Sequence, residues 1–256
     1  MGRLLKSGYL LCVYLFLYLP LLMLAANSFN ASKYGLRWEG FTFVWYARVF
    51  QHATLALAAW HSLLIALISA SLATLIGTLG AVSIYRYRYA GRKLFQGMLF
   101  VTMMAPDIVM AISLLSLFLV LHLALGFWSL LFSHVTLCLP FVVVTVLARL
   151  KSFDPRIIEA AFDLGAGEWR TFYRVILPLS LPAVAAGWLL AFTLSLDDVI
   201  ISFFVSGPTF EILPLRIYSM VRLGVKPEVN ALATLLFIIP LGLVTLAHFV
   251  MREKKA

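Results

Sequence analysis

Six stretches of this chain are long and apolar enough to cross a bilayer, and that pattern constrains its fold more than any other feature. A spanning helix needs about 20 mostly apolar residues, and such stretches run over 8–27, 60–85, 94–121, 129–148, 181–205 and 229–250. With 63% of its 256 residues hydrophobic, 12% charged and a mean hydropathy of +1.00, the chain is too apolar for a soluble domain. An all-α integral membrane protein is expected, forming a single domain over 1–256. The first stretch is longer and more aromatic than a cleavable leader and no small-residue cleavage site follows it, so it is expected to be retained.

Orientation follows from the basic residues. Fourteen of the twenty lysines and arginines fall on one side of this pattern: before the first stretch, after the second, between Arg149 and Arg174, and at the C-terminus. Lys33, Arg37, Arg48, Arg216, Arg222 and Lys226 fall on the other side. The positive-inside rule then places both termini and segment 149–180 in the cytoplasm, with outer loops at 28–59 and 206–228. The formal charge of +9 is thereby explained by topology, since these charges border membrane spans and form no continuous basic stripe of the kind that binds nucleic acid.

Catalysis finds no support in the sequence. Cys12 and Cys138 each lie inside an apolar stretch and read as small buried hydrophobes. The five histidines show no ligand spacing, and neither a phosphate-binding G-x-x-x-x-G-K-[ST] loop nor a G-x-S-x-G elbow occurs. No metal site is expected. If ATP drives a process here, another polypeptide must bind the nucleotide and its magnesium.

Segment 149–180 carries the most specific signal. Asp154 before Pro155 reads as a helix cap and first helical residue, because the carboxylate accepts orphan N–H groups and proline has no N–H to leave unsatisfied. Ile157, Ile158, Ala161 and Leu164 then recur at helical spacing, and Gly165 suits the left-handed residue that ends a helix. Beyond Gly167, Trp169, Phe172, Tyr173 and Ile176 mark a second amphipathic run. Two short helices meeting at a glycine form an elbow, where small Ala160 and Ala161 admit a close neighbour and Glu159, Asp163 and Arg170 remain available for ion pairs.

The run Glu159-Ala160-Ala161, three residues, Gly165, nine residues, then Val175-x-Leu177-Pro178 resembles the coupling loop of ABC-transporter permeases, with valine where that family carries isoleucine. The resemblance implies the type I importer permease fold. It also implies that Glu159, Ala160, Ala161, Gly165, Glu168, Leu177 and Pro178 belong to a surface that couples to a separate ATPase, with Glu168 alternatively at an exit mouth.

Acidic residues inside the spans carry the substrate argument. Asp107 lies about thirteen residues into the third stretch, roughly 20 Å from its cytoplasmic end, and Asp197 and Asp198 lie at similar depth in the fifth. A carboxylate in hydrocarbon costs about 2.5–3.5 kcal/mol on the lenient insertion scale, so it normally faces a polar pathway or a partner charge. No lysine or arginine lies within these spans, which leaves a transported cation as a natural partner. Adjacent helical residues diverge by about 100°, so one of Asp197 and Asp198 faces the pathway and the other anchors the helix end, with Arg216 or Arg222 as candidate partners. Asp107 also reads as a cap beyond a kink at Pro106. Trp45, Ser195 and Asn230 are further pathway candidates, open equally to roles as an interfacial anchor and as bonds to neighbouring backbone.

The runs from Ala105 to Ser113, from Leu194 to Val199 and from Pro227 to Thr234 resemble permeases of spermidine/putrescine ABC importers, a similarity that covers essentially the whole chain. It implies a PotB-type sister permease, two PotA-type ATPase subunits and a periplasmic PotD-type polyamine receptor. It implies location in the bacterial inner membrane. A putrescine-only importer is the neighbouring alternative. An ion-coupled transporter using Asp107 and Asp197 is the alternative from another class, against which the absent inverted-repeat signal counts.

Overall fold

A computed structural model describes residues 2–33, 37–222 and 227–238. Among them the regular elements are helices, and strand-like pairing is confined to the single bridges Asn30–Phe41 and Gly207–Phe210. In chain order they are α1 (Gly2–Asn27), α2 (Val44–Gln51), α3 (Ala53–Arg86), α4 (Arg92–Met104), α5 (Asp107–Val120), α6 (Phe127–Lys151), α7 (Arg156–Asp163) and α8 (Glu168–Thr171). A widened π-helical turn, Phe172–Ile176, then leads into α9 (Leu177–Asp197), followed by α10 (Ile200–Val205), α11 (Leu213–Arg222) and α12 (Pro227–Ile238). The chain divides into two compact units, one formed by 1–57 with 216–256 and the other by 58–215.

In the first unit the segment between α1 and α2 is held by one side chain. Asn30 Oδ1 accepts from the backbone N–H groups of Ser32 and Glu39, its Nδ2 donates to Arg37 O, and its own carbonyl accepts from Trp45 Nε1 at 2.7 Å. Phe29, Phe41, Phe43 and Tyr46 stack around this knot. Arg48 and His52 both face Glu228 at the start of α12, at 3.5 and 3.7 Å.

The second unit holds the main core. On α3 the small residues Ala66, Ala70, Ala73, Gly77 and Ala81 recur at helical spacing on one face, and the four alanines are fully buried. Small side chains let membrane helices approach closely where no hydrophobic drive separates protein from lipid. The contact is tight: a Cβ at Gly77 would meet Val142 Cγ1 of α6 at 2.8 Å, and one at Gly187 of α9 would meet the same atom at 3.4 Å. Val142 is thus a knob seated between two glycines. A second cluster joins Ile65 to Met110 and Phe118 of α5, Leu130 of α6 and Ile201 and Val205 of α10.

Two expected spans are broken. The stretch 94–121 is two helices bent by 115°, not one. Pro106 offers no N–H to the carbonyl of Thr102 and holds Ala105 extended (ψ 135°), so the helix ends at Met104 and restarts at Asp107. The stretch 181–205 stops at Asp197, because Asp198 is extended (ψ 124°), and resumes as α10. Four described helices are long and apolar enough to cross a membrane, and the bent pair makes a fifth if it counts as one span. Of the stretch 229–250, residues up to 238 are helical and the remainder lies outside the described residues.

Candidate functional site

The elbow within 149–180 forms by local rules. Asp154 Oδ1 accepts the N–H of Arg156 at 3.0 Å and opens α7. At its end Gly165 adopts φ +77°, its N–H bonds to Phe162 O and that of Ala166 to Ala161 O, the paired bonds of a Schellman cap. A Cβ at Gly165 would meet nothing within 4 Å, so glycine is required there by backbone conformation and not by crowding. Gly167 is extended, and α8 begins at Glu168.

One arginine at the end of α3 clamps both halves of this elbow. Arg86 Nη2 donates to Glu168 Oε1 at 3.1 Å, and its guanidinium lies 4.6 Å from the Phe162 ring of α7. The Tyr87 hydroxyl donates to the other carboxylate oxygen of Glu168, and this bond to a carboxylate holds the phenol above its ordinary pKa. Ile158 and Ile176 are buried against the core, with Phe162 and Phe172 packed beside them. The outer face carries exposed Glu159, Ala160 and Gly165 together with bare apolar groups, Leu164 at 88% exposure and Trp169 at 71%. Leu177 is half-buried and Pro178 exposed at the first turn of α9. Proline at 178 removes the N–H due to the carbonyl of Arg174, which accounts for the widened turn immediately before it.

At the far end of α9 the two adjacent aspartates separate. Asp197 is exposed, whereas the Asp198 side chain is 7% exposed. Asp198 Oδ2 accepts from the N–H and the hydroxyl of Ser202 at 2.8 and 2.7 Å, and Oδ1 accepts from Ile201 N–H at 3.2 Å, so it caps α10. His134 of α6, fully buried, pairs Nδ1 with Ser195 Oγ at 2.6 Å and Nε2 with Ser202 Oγ at 3.0 Å. Ser69 Oγ of α3 donates to Ser195 Oγ at 3.0 Å. A neutral imidazole protonated on Nε2 satisfies the whole chain in one direction, from Ser69 through Ser195 and His134 to Ser202 and Asp198. The sequence suggested Arg216 or Arg222 for the anchoring aspartate; the groups found on Asp198 are Ile201, Ser202 and His134. His134, a lone histidine amid the apolar run 129–148, is the signal in the sequence for this partner, one that lysine and arginine alone do not supply.

The remaining candidates fall in separate places. Asp107 is exposed at the first residue of α5, where its carboxylate complements the positive end of the helix. Ser195 lies in the buried relay. Trp45 is buried, bound to Asn30 O and covered by Arg48 at 4.8 Å from its ring. Asn230 is half-buried on α12, its carbonyl accepting the Thr234 hydroxyl.

Residues 73–254 match the family described as the binding-protein-dependent transport system inner membrane component. The chain belongs to that family. It is 58% identical over 253 residues, covering 99% of this chain and 96% of the relative, to the spermidine/putrescine transport system permease protein PotC of Escherichia coli K12. It is 55% identical to the Haemophilus influenzae protein of the same name, over 97% of each chain. The putrescine transport system permease protein PotI of E. coli K12 is 42% identical over 94% of this chain and 87% of its own. Among solved structures, a bacterial ABC transporter involved in import of the acidic polysaccharide alginate matches with a TM-score of 0.74 at 18% identity, over 98% of this chain and 96% of that one. The MetNI methionine ABC transporter matches at 0.64 and 18%, over 79% and 96%. The fold is that of ABC-importer permeases. The protein is a multi-pass transport subunit of the bacterial inner membrane and not an enzyme.

Proposed function

We propose that this chain is one of two membrane subunits of an ATP-driven importer for spermidine and putrescine. The observation that carries the reading is its 58% identity, across nearly the full length of both chains, with a permease named for those substrates. A PotB-type permease supplies the other half of the pathway, two PotA-type subunits bind ATP and magnesium, and a PotD-type receptor delivers the polyamine from the periplasm. The chain crosses the membrane six times with both termini in the cytoplasm, the bent pair α4–α5 counting as one crossing.

The elbow around Glu159, Ala160, Ala161 and Gly165 seats in the ATPase. Its bare Leu164 and Trp169 supply an apolar contact to be covered there. ATP binding moves the elbow, and α9 carries that motion to the break at Asp198. Exposed Asp107 and Asp197 line the pathway and attract the ammonium groups, whereas Ser195 and Asp198 hold the break in shape. Trp45 and Asn230 belong to the outer, receptor-facing side, and Glu168 to the joint between elbow and α3.

The test is uptake of labelled spermidine and putrescine into proteoliposomes holding the complete complex and receptor, with and without ATP. Asp107→Asn with Asp197→Asn is expected to abolish uptake while receptor-stimulated ATP hydrolysis continues. Full uptake by that variant would make both carboxylates structural, and uptake of neither polyamine by the wild type would overturn the substrate assignment.

A further inference from the structure

α3 is long enough to cross the membrane, so the turn that follows it, residues 87–91, lies at a bilayer surface. The basic residues around this turn divide into two sets. Arg86, with Tyr87, is turned to the elbow and engaged with Glu168. Arg88, Arg92 and Lys93 are not engaged in this way: among the described residues none of the three pairs with a carboxylate. Together with Tyr89 and Gly91 they line a cleft of about 440 Å³.

This gathering of like charges is unfavourable on its own. From Gly40 to Pro106 the sequence holds no aspartate or glutamate. Arg92 and Lys93 also occupy the first turn of α4, the electropositive end of a helix, where an acidic residue is the stabilising choice and none is present. Topology asks for basic residues beside a span. It does not ask for three of them round one cleft without a counter-charge, and an anion held between them removes the repulsion.

The next two turns of α4 narrow the kind of anion. Phe95 and Leu99 join the core, and Phe95 lies beside Gly80 of α3. On another side of the helix Leu94, Met98 and Val101 recur at i, i+4 and i+7, within an arc of about 60°, and are 65%, 59% and 69% exposed. Gly97 leaves a notch beside them, since a Cβ there would meet nothing within 4 Å. The apolar stripe begins at the residue after Lys93, so charge and hydrocarbon surface are presented in series. A free phosphate or an acidic soluble protein satisfies the charges and leaves the stripe bare. A phospholipid satisfies both. We propose that this turn binds the headgroup phosphate of an anionic phospholipid between Arg88, Arg92 and Lys93, with an acyl chain laid along Leu94, Met98 and Val101 and Tyr89 at headgroup level. The proposal rests on the chain's membrane location and not on the identity of its substrate.

The experiment is native mass spectrometry of the complete importer in detergent, offered phosphatidylglycerol and phosphatidylcholine of matched acyl chains, so that the mass of each retained lipid identifies it. Wild type is expected to retain phosphatidylglycerol in preference. Arg88→Gln with Lys93→Gln is expected to weaken that retention about 25-fold, at roughly fivefold for each charge removed. Arg88→Lys with Lys93→Arg keeps it, and so does Lys254→Gln with Lys255→Gln, which takes the same charge from the C-terminus. Equal retention of the two lipids by wild type, or equal losses in the two glutamine variants, overturns the proposal. Added inorganic phosphate distinguishes a soluble anion from a lipid: the lipid is expected to stay, and its replacement by phosphate overturns the assignment. A photoactivatable group on the acyl chain of phosphatidylglycerol is expected to label wild-type α4 between Leu94 and Val101. Label found only on other helices, the result if the second permease covers the stripe, also overturns it. This last measurement decides the matter if the glutamine variant fails to assemble.

Discussion

The two ends of the helix that runs from Glu168 to Asp197 are built on opposite plans. The elbow at the Glu168 end is assembled from neighbours in sequence: Asp154 opens α7, Gly165 closes it, and Glu168 begins the next helix three residues on. Its outer surface is exposed and apolar. The break at the other end is assembled from residues far apart, Ser69, His134, Ser195, Asp198 and Ser202, and its polar groups are turned inward. On the function proposed above, the contrast teaches that one joint is made to be grasped by another protein and the other to keep its shape while being moved.

The largest effect is expected from breaking the inward-turned joint. Asp198→Leu removes the acceptor of the Ile201 and Ser202 N–H groups and of the Ser202 hydroxyl, and each buried donor left unsatisfied costs about 1–3 kcal/mol. Thermal unfolding of the purified complex in detergent should show the melting temperature falling well below that of wild type. A melting curve unchanged by this substitution would remove the argument that the break is held by side chains.

Next in size is the elbow. Gly165→Pro imposes φ near −65° where the chain has +77°, and transport is expected to stop while receptor docking to the outer face persists. Receptor binding by surface plasmon resonance, run beside uptake, separates these two results. Wild-type uptake in that variant contradicts the lever model.

Gly77→Val addresses the packing that supports both ends. The added carbons collide with Val142, at a cost of about 1–3 kcal/mol for an overfilled core. Val142→Ala in the same chain should restore part of the lost stability, and a double-mutant cycle measures how much. Additive losses would mean that the two residues do not share the contact.

The smallest effect sharpens the comparison of helix ends. α5 closes with a Schellman pair like that of α7, Leu123 N–H to Phe118 O and His122 N–H to Leu119 O, but with histidine at φ +53° where α7 has glycine. His122→Gly should raise the melting temperature slightly, by no more than about 1–2 kcal/mol in stability.

What the sequence disclosed follows the same division. Hydrophobic length located the C-terminal ends of α1, α3 and α6 within three residues, although α1 and α3 begin six and seven residues earlier than expected, and the caps of α7 were readable because Asp154, Pro155 and Gly165 act on their own backbone. The break at Ala105–Pro106 was announced by a proline, yet its 115° bend was not, since a proline permits a range of kinks and the packing of α5 on α10 selects one. No proline marks the break at Asp198. It depends on a histidine sixty-four residues earlier and a serine on a third helix, a juxtaposition that periodicity within one segment does not encode. Arg86 escaped for the same reason, because the elbow residues it contacts, Phe162 and Glu168, lie on the far side of two intervening apolar stretches.

The unbroken run of 30 residues from Glu168 to Asp197 has a kinematic consequence. A rod of that length, about 44 Å, converts a tilt of about 10° at its elbow end into a sweep of about 8 Å at the other. The π-helical turn at Phe172–Ile176 sits close to the pivot, where added compliance alters the tilt delivered but barely shortens the arm. Stroke length is thus set by helix length and the force needed by a single turn, so the two are open to separate adjustment by substitutions at different places along one helix.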